Sequence, residues 1–363
     1  MKASLPVSDP MEDSPAPPMS AQWRNMFVLA IIYGYIAIIV LGALWFFRWR
    51  ETELPWWTDI PVGFLAIFLI GPAQHRLFLL GQEACLGVLF RNRWLNELAG
   101  DWLTHFPFST STHHMRHIVR SHYEFPNDPE RDAELIIAGK AGFWPLKPVR
   151  FLRMTALLRW HSLRANYNFS ANPNNPYQEP GERPPKVALR IGTAYVLIMF
   201  AILIGLYLSP NWWVLVFLPP SMWVVTCFIF LLLPGRCFHQ SRLKSVYSPR
   251  FRTLMQITFI TLVNLGLGWS SYFTGRSGIL NYIALWVAPM VTTCTWAMLL
   301  RQWRQHAGRE QEAAKCTANI SSNWLRRLLV FPLNQHLHQT KHDFPETPWY
   351  HLPRLAQNPT RIR

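Results

Sequence analysis

Between Arg24 and Arg48 runs MFVLAIIYGYIAIIVLGALWFF, Met26 to Phe47, 22 residues without a charge. As a helix, such a run crosses the ~30 Å hydrocarbon core of a bilayer. No other feature restricts the fold as strongly, because a backbone in lipid must satisfy its hydrogen bonds internally, as helix or closed barrel. Further apolar blocks follow at about 60–81, 187–208, 212–233, 254–273 and 279–300. They are continuous and do not alternate as strands would. The pattern predicts an all-α integral membrane protein with four to six membrane helices. Ser209, Pro210 and Asn211 alone separate the third and fourth blocks, and TGRSG separates the fifth and sixth, so these pairs read as hairpins.

The polar remainder then divides simply. Residues 1–25 are Pro- and Ser-rich and read as a disordered tail, 26–355 as one membrane domain, and 356–363 as a basic C-terminal tail. The first apolar run is too long for a cleavable signal and lacks a small-residue cleavage site. Three hairpins place 91–186, 234–253 and 301–355 on the same side as the N-terminus. Arg236, Arg242, Lys244, Arg250 and Arg252 crowd the 234–254 loop without an acid, whereas the opposite turns at 209–211 and 274–278 offer only Arg276. The first turn, with Arg48 and Arg50 against Lys2 and Arg24 across the membrane, does not discriminate. By the positive-inside rule the polar regions are cytoplasmic.

Net charge is +15, half of the residues are hydrophobic, and 18 are Trp. In a membrane protein a basic excess suits loops facing anionic lipid. No nucleic-acid reader motif accompanies it, so nucleic acid is not an expected partner. Five cysteines without a C-x-x-C pair argue for thiols over a disulfide framework or zinc ribbon. The pairs in LPWWTD (54–59) and SPNWWV (209–214) read as aromatic belts.

Histidines gather in the polar regions. HHMRH holds His113, His114 and His117, followed by His122; the C-terminal part holds His306, His336, His338, His342 and His351. Spacings of three and four residues put imidazoles on one helical face, and neutral imidazole is a transition-metal ligand. His105, His161, His239 and His351 read as interfacial histidines.

Four longer stretches carry a resemblance. LLGQEACLGVLFRNRWLNELAGDWLTHFP, HYEFPNDPERD, RQHAG and HDFPETPWYHLPRL, in this order, are similar to segments of the membrane-bound fatty acid desaturase family, over about Gly71 to Leu355. That resemblance implies a desaturase-like membrane fold and lipid metabolism. It further implies iron, an acyl or other long-chain substrate, oxygen-dependent desaturation or hydroxylation, and a separate ferredoxin- or cytochrome-type electron donor. The family holds two irons with HxxxH, HxxHH and HxxHH boxes.

This chain departs from those boxes. The first becomes Gln82-Glu83-Ala84-Cys85-Leu86, with both histidines gone. The second, placed by its D-P end, falls on Ile118, Ser121 and His122. The third, placed by its F-P, falls on His338, Lys341 and His342. His306 in RQHAG is retained. The resemblance therefore leaves His122, His306, His338 and His342 as metal ligands, with His114, His117 and His336 as further candidates. Lys341 is a cation where a ligand is expected and would repel iron at close range. Glu83 reads either as a functional carboxylate or as a hydrogen-bonding group of the pocket.

Three functions stay open: an iron oxidoreductase, a non-catalytic lipid- or partner-binding relative, and a single-metal enzyme on the same scaffold. The bland reading of the four histidines is a polar cluster bonded to Asp128, Asp132 or Asp343.

Overall fold

A computed structural model describes residues 19–126, 128, 130–133, 175–177, 186–209, 211–238, 241–306 and 317–357. The expected features at His161, His239 and Cys316 lie outside the described residues. No strand occurs among the described residues beyond one isolated bridge, Asn319 to Leu337.

Helix α1 covers Met19–Glu53 and α2 Asp59–Cys85. Two short helices follow, α3 (Arg93–Ala99) and α4 (Thr112–Glu124), then α5 (Lys186–Leu208), α6 (Trp212–Leu232) and α7 (Pro249–Thr274). Helix α8 (Gly278–His306) contains two wide π-type turns, Ile283–Val287 and Met290–Cys294. Helices α9 (Trp324–Leu329), α10 (His338–Asp343) and α11 (Leu352–Gln357) are short. Helix α1 begins at Met19, earlier than the expected tail boundary at 25. Within it Asn25 is buried, its amide donating to the Leu89 carbonyl at 2.7 Å.

Five helices are long and apolar enough to cross a membrane: α1, α2 with the turn before it, α5, α6 and α8. The chain is a multi-pass, all-α membrane protein. Exposed apolar side chains such as Phe27, Ile38, Leu197 and Phe228 lie on these helices. The block expected at 254–273 is helical as part of α7 but does not reach the apolarity of the other five. The reason is its polar side chains, two of which are satisfied by neighbouring helices. Trp223 on α6 donates to Thr258 at 3.0 Å, and Tyr195 on α5 bonds Thr261. Polar contacts of this kind hold membrane helices together where hydrophobicity alone does not.

The hairpins are realised. Arg50 pairs with Asp59 across the α1–α2 turn, and Arg276 in the α7–α8 turn pairs with Glu51 at the end of α1, which puts both turns at one end of the molecule. Helix α2 presses closely on α8. A Cβ at Gly71 would collide with the Thr293 side chain and lie 2.6 Å from the Cys294 nitrogen. Between α1, residues 100–108, α7 and α8 lies an apolar groove of about 510 Å³, lined by Tyr33, Trp102, Leu103, Phe259 and Trp286 among others.

The end of α2 is where the motif RNRWLN acquires a physical meaning. The last carbonyls of a helix need outside donors. Asn96 supplies one to Ala84 O at 2.8 Å, and its oxygen accepts from Leu89 and Phe90 nitrogens at 3.1 and 3.2 Å. Arg116 Nε supplies another to Cys85 O at 2.9 Å, while its guanidinium pairs with the buried Glu97. Asn92 caps α3 by accepting from Leu95 N at 3.0 Å.

Candidate metal centre

Three elements converge at the end of the bundle where α2 and α8 finish. Helix α4, capped by Ser111, brings His122. His306 is the last residue of α8. Helix α10 brings His338 and His342, four residues apart and hence on one face.

These four rings offer one nitrogen each, and all four atoms lie within 4.8 Å of one another. His342 Nε2 is 3.2 Å from His122 Nε2 and 3.2 Å from His338 Nε2, and His338 Nε2 is 3.1 Å from His306 Nε2. Nitrogens set tetrahedrally at 2.0–2.1 Å around a metal would lie roughly 3.4 Å apart, so this spacing fits a common ion. Among the described residues no other group of three or more His, Cys, Asp or Glu side chains gathers in this way.

Behind the centre stands a carboxylate. Both oxygens of buried Asp132 lie 3.2 Å from His122 Nδ1, which can donate to them and so turn a lone pair on Nε2 toward the other rings. Of the three acids that the sequence offered as partners, Asp132 takes this place. Asp128 instead pairs with Arg131, and Asp343 accepts from Gln339 at 3.0 Å.

Burial, and then the neighbouring imidazoles, hold His338 and His342 well below the ordinary histidine range. They therefore stay neutral and keep their lone pairs at physiological pH. The sign of the resulting pH effect follows. In the unfolded chain these rings take up protons near pH ~6.5, while in the folded chain they do not. Stability of chelator-treated protein is expected to be level above about pH 7 and to fall below ~6.5, as the unfolded state gains protons. Melting curves across this range check it, and a His338→Ala/His342→Ala variant should show the shallower decline.

The further candidates are not brought into the four-nitrogen set. His114 is half-buried in the first turn of α4. His117 Nε2 lies 2.8 Å from Ser241 Oγ, with its ring against His113 and Tyr177. His336 is buried, and its carbonyl accepts from Ile320 N at 2.7 Å. His105 is a correction to the interfacial expectation. It is fully buried and Nδ1 lies 3.1 Å from both Gly100 O and Thr112 Oγ1; burial pushes its pKa down to about 3. His75 is likewise fully buried in α2 and outside the set.

The five substituted positions add no imidazole. Leu86 and Ile118 are buried hydrocarbon, and Ser121 Oγ is occupied by Ile118 O at 3.0 Å and Ala133 N at 3.1 Å. Lys341 does not stand as a bare cation: its ammonium lies 2.8 Å from Glu83 Oε1.

Sequence reasoning missed what supports α10. Asn319 bonds Thr340 on both sides: Nδ2 donates to Oγ1 at 3.0 Å and Oδ1 accepts from the backbone nitrogen at 3.2 Å. Gln305, next to His306, donates to Gln335 O at 2.6 Å and so ties α8 to the loop before α10. Nothing in the local pattern marked either residue.

Comparison with known proteins adds the family. Searches of curated proteins and of solved structures found no match. The family profile described as Fatty acid desaturase matches residues 55–241 and 235–361, which together cover most of the chain, including all four converging histidines. The chain belongs to the fatty acid desaturase family.

Proposed function

We propose that the chain holds a single transition-metal ion, iron in keeping with its family, between His122, His306, His338 and His342, and oxidises a C–H bond of a long lipid chain. The observation that carries this reading is the approach of four imidazole nitrogens to within 4.8 Å, with Asp132 behind one of them. Four neutral nitrogen donors suit iron, copper, nickel or zinc, and the family selects iron among them. Two irons do not fit: Gln82, Leu86, Ile118, Ser121 and Lys341 supply no imidazole for a second ion.

Bound iron would supply dioxygen activation, with electrons from a separate ferredoxin- or cytochrome-type donor. The chain's own residues do the rest. His122 keeps its orientation through Asp132, and α10 presents two ligands from one face. The groove beside Trp102, Phe259 and Trp286 offers an apolar chain a place among the membrane helices. In this reading the histidine end faces the cytoplasm, where the basic loop 234–254 belongs.

A second reading is a lipid-binding relative without chemistry, favoured by the hydrocarbon of Leu86 and Ile118 at ligand positions. One experiment separates the two. Protein purified in nanodiscs and reconstituted with Fe(II) under reducing conditions is analysed for metal, then given dioxygen, an electron donor and bilayer lipids. One iron per chain and lipid that has gained an oxygen or lost a pair of hydrogens is expected. Two irons per chain would overturn the single-metal reading, and iron-free protein with unaltered lipid would leave the binding protein.

A further inference from the structure

Helix α10 has six residues, far fewer than a helix needs to hold itself in water, and its N-cap, Leu337, contributes no side-chain hydrogen bond. The aim of His338 and His342 must therefore be set by bonds from outside the helix. We propose that Lys341 and Glu83 are a positioning pair that fixes the roll of α10, and with it the two ligands it carries; this rests on the metal centre proposed above.

The pair is buried, with side chains 2 % and 3 % exposed. Lys341 Nζ donates to Glu83 Oε1 at 2.8 Å and to the Thr347 carbonyl at 2.7 Å. Glu83 Oε2 accepts from Trp349 N at 3.1 Å. The Trp349 indole N–H donates to Asn25 on α1 at 3.1 Å, and the Trp349 carbonyl accepts from Asn334 at 3.1 Å. One carboxylate at the end of α2 thus gathers α10, the turn after it and, through Trp349, the start of α1. Lys341 lies three residues after His338 and one before His342. On a helix that turns 100° per residue, a roll that broke the ion pair would carry both ligand nitrogens away from His122 and His306. The cation that reads in sequence as a defect of the box is the grip that holds it.

The test is Co2+ titration with chelator competition on full-length protein in nanodiscs, with the visible absorption of bound Co2+ recorded. Lys341→Met and Glu83→Gln are each expected to weaken binding 10–100-fold and to alter the spectrum, as loss of an outer-shell support does. Lys341→Arg, which keeps a buried donor cation, is expected to recover most of the affinity. Should the single variants not fold, the Lys341→Met/Glu83→Leu double variant removes both charges together and carries the test. It is expected to fold with near wild-type stability yet bind Co2+ weakly, a split that a merely structural ion pair would not produce. Wild-type affinity in the folded double variant, or in either single variant, overturns the positioning role. Wild-type protein that takes up no Co2+ overturns the metal centre itself, and the positioning role with it.

Discussion

Replacing His342 by alanine is expected to empty the metal centre. Its Nε2 lies 3.2 Å from both His122 Nε2 and His338 Nε2. Without it three imidazoles from three different elements remain, and the face of α10 that presented a pair presents one. The affinity for Fe2+ or Co2+ should fall by more than roughly 100-fold, beyond what loss of an outer partner produces. The metal-free fold should lose no more than about 1–2 kcal/mol, the usual range for one truncated side chain. Metal content after dialysis against a chelator reads the first effect and a melting curve the second. His105→Ala serves as the contrast, because His105 is bonded to Gly100 and Thr112 and lies outside the centre. Equal metal retention in His342→Ala and wild type would remove His342 from the ligand set.

The contrast between His342 and His105 also shows what a sequence can reveal here. Apolar run length announced the membrane helices, because bilayer thickness dictates that length. Helix α7 escaped that rule in part: Thr258 and Thr261 lower its apolarity, donate to the Leu254 and Ile257 carbonyls of their own helix and bond Trp223 on α6 and Tyr195 on α5. The four converging histidines were legible through their places relative to D-P, F-P and RQHAG, not through histidine density. His336 lies two residues from His338 and His117 five from His122, and neither joins the set. What stayed hidden was long-range pairing. His122 and His342 are 220 residues apart, and no local period encodes which face of α4 meets which face of α10. The same holds for Lys341. Its charge was visible, but the carboxylate that compensates it belongs to a helix at the other end of the chain. Asp132 was one of three plausible acids, and only the packing of α4 against the residues after it selects among them.

The largest loss of stability is expected from Arg116→Met. Arg116 is 1 % exposed and its partner Glu97 is fully buried, so the substitution leaves a carboxylate in the interior without its cation. Removing one member of such a pair costs about 3–5 kcal/mol. It would also strip the Nε donor from the Cys85 carbonyl and so loosen the seam between the end of α2 and α4. Helix α4 carries His122 six residues later, so Co2+ affinity should fall together with the melting temperature. The Arg116→Met/Glu97→Leu double variant separates charge from packing. With both charges gone the desolvation penalty disappears as well, and a buried pair replaced by hydrocarbon is often neutral or better. Thermal denaturation in detergent should place the double variant well above the single one. If the two melt together, the stability of this seam lies in the Nε–Cys85 bond and the fit of the guanidinium, not in the ion pair.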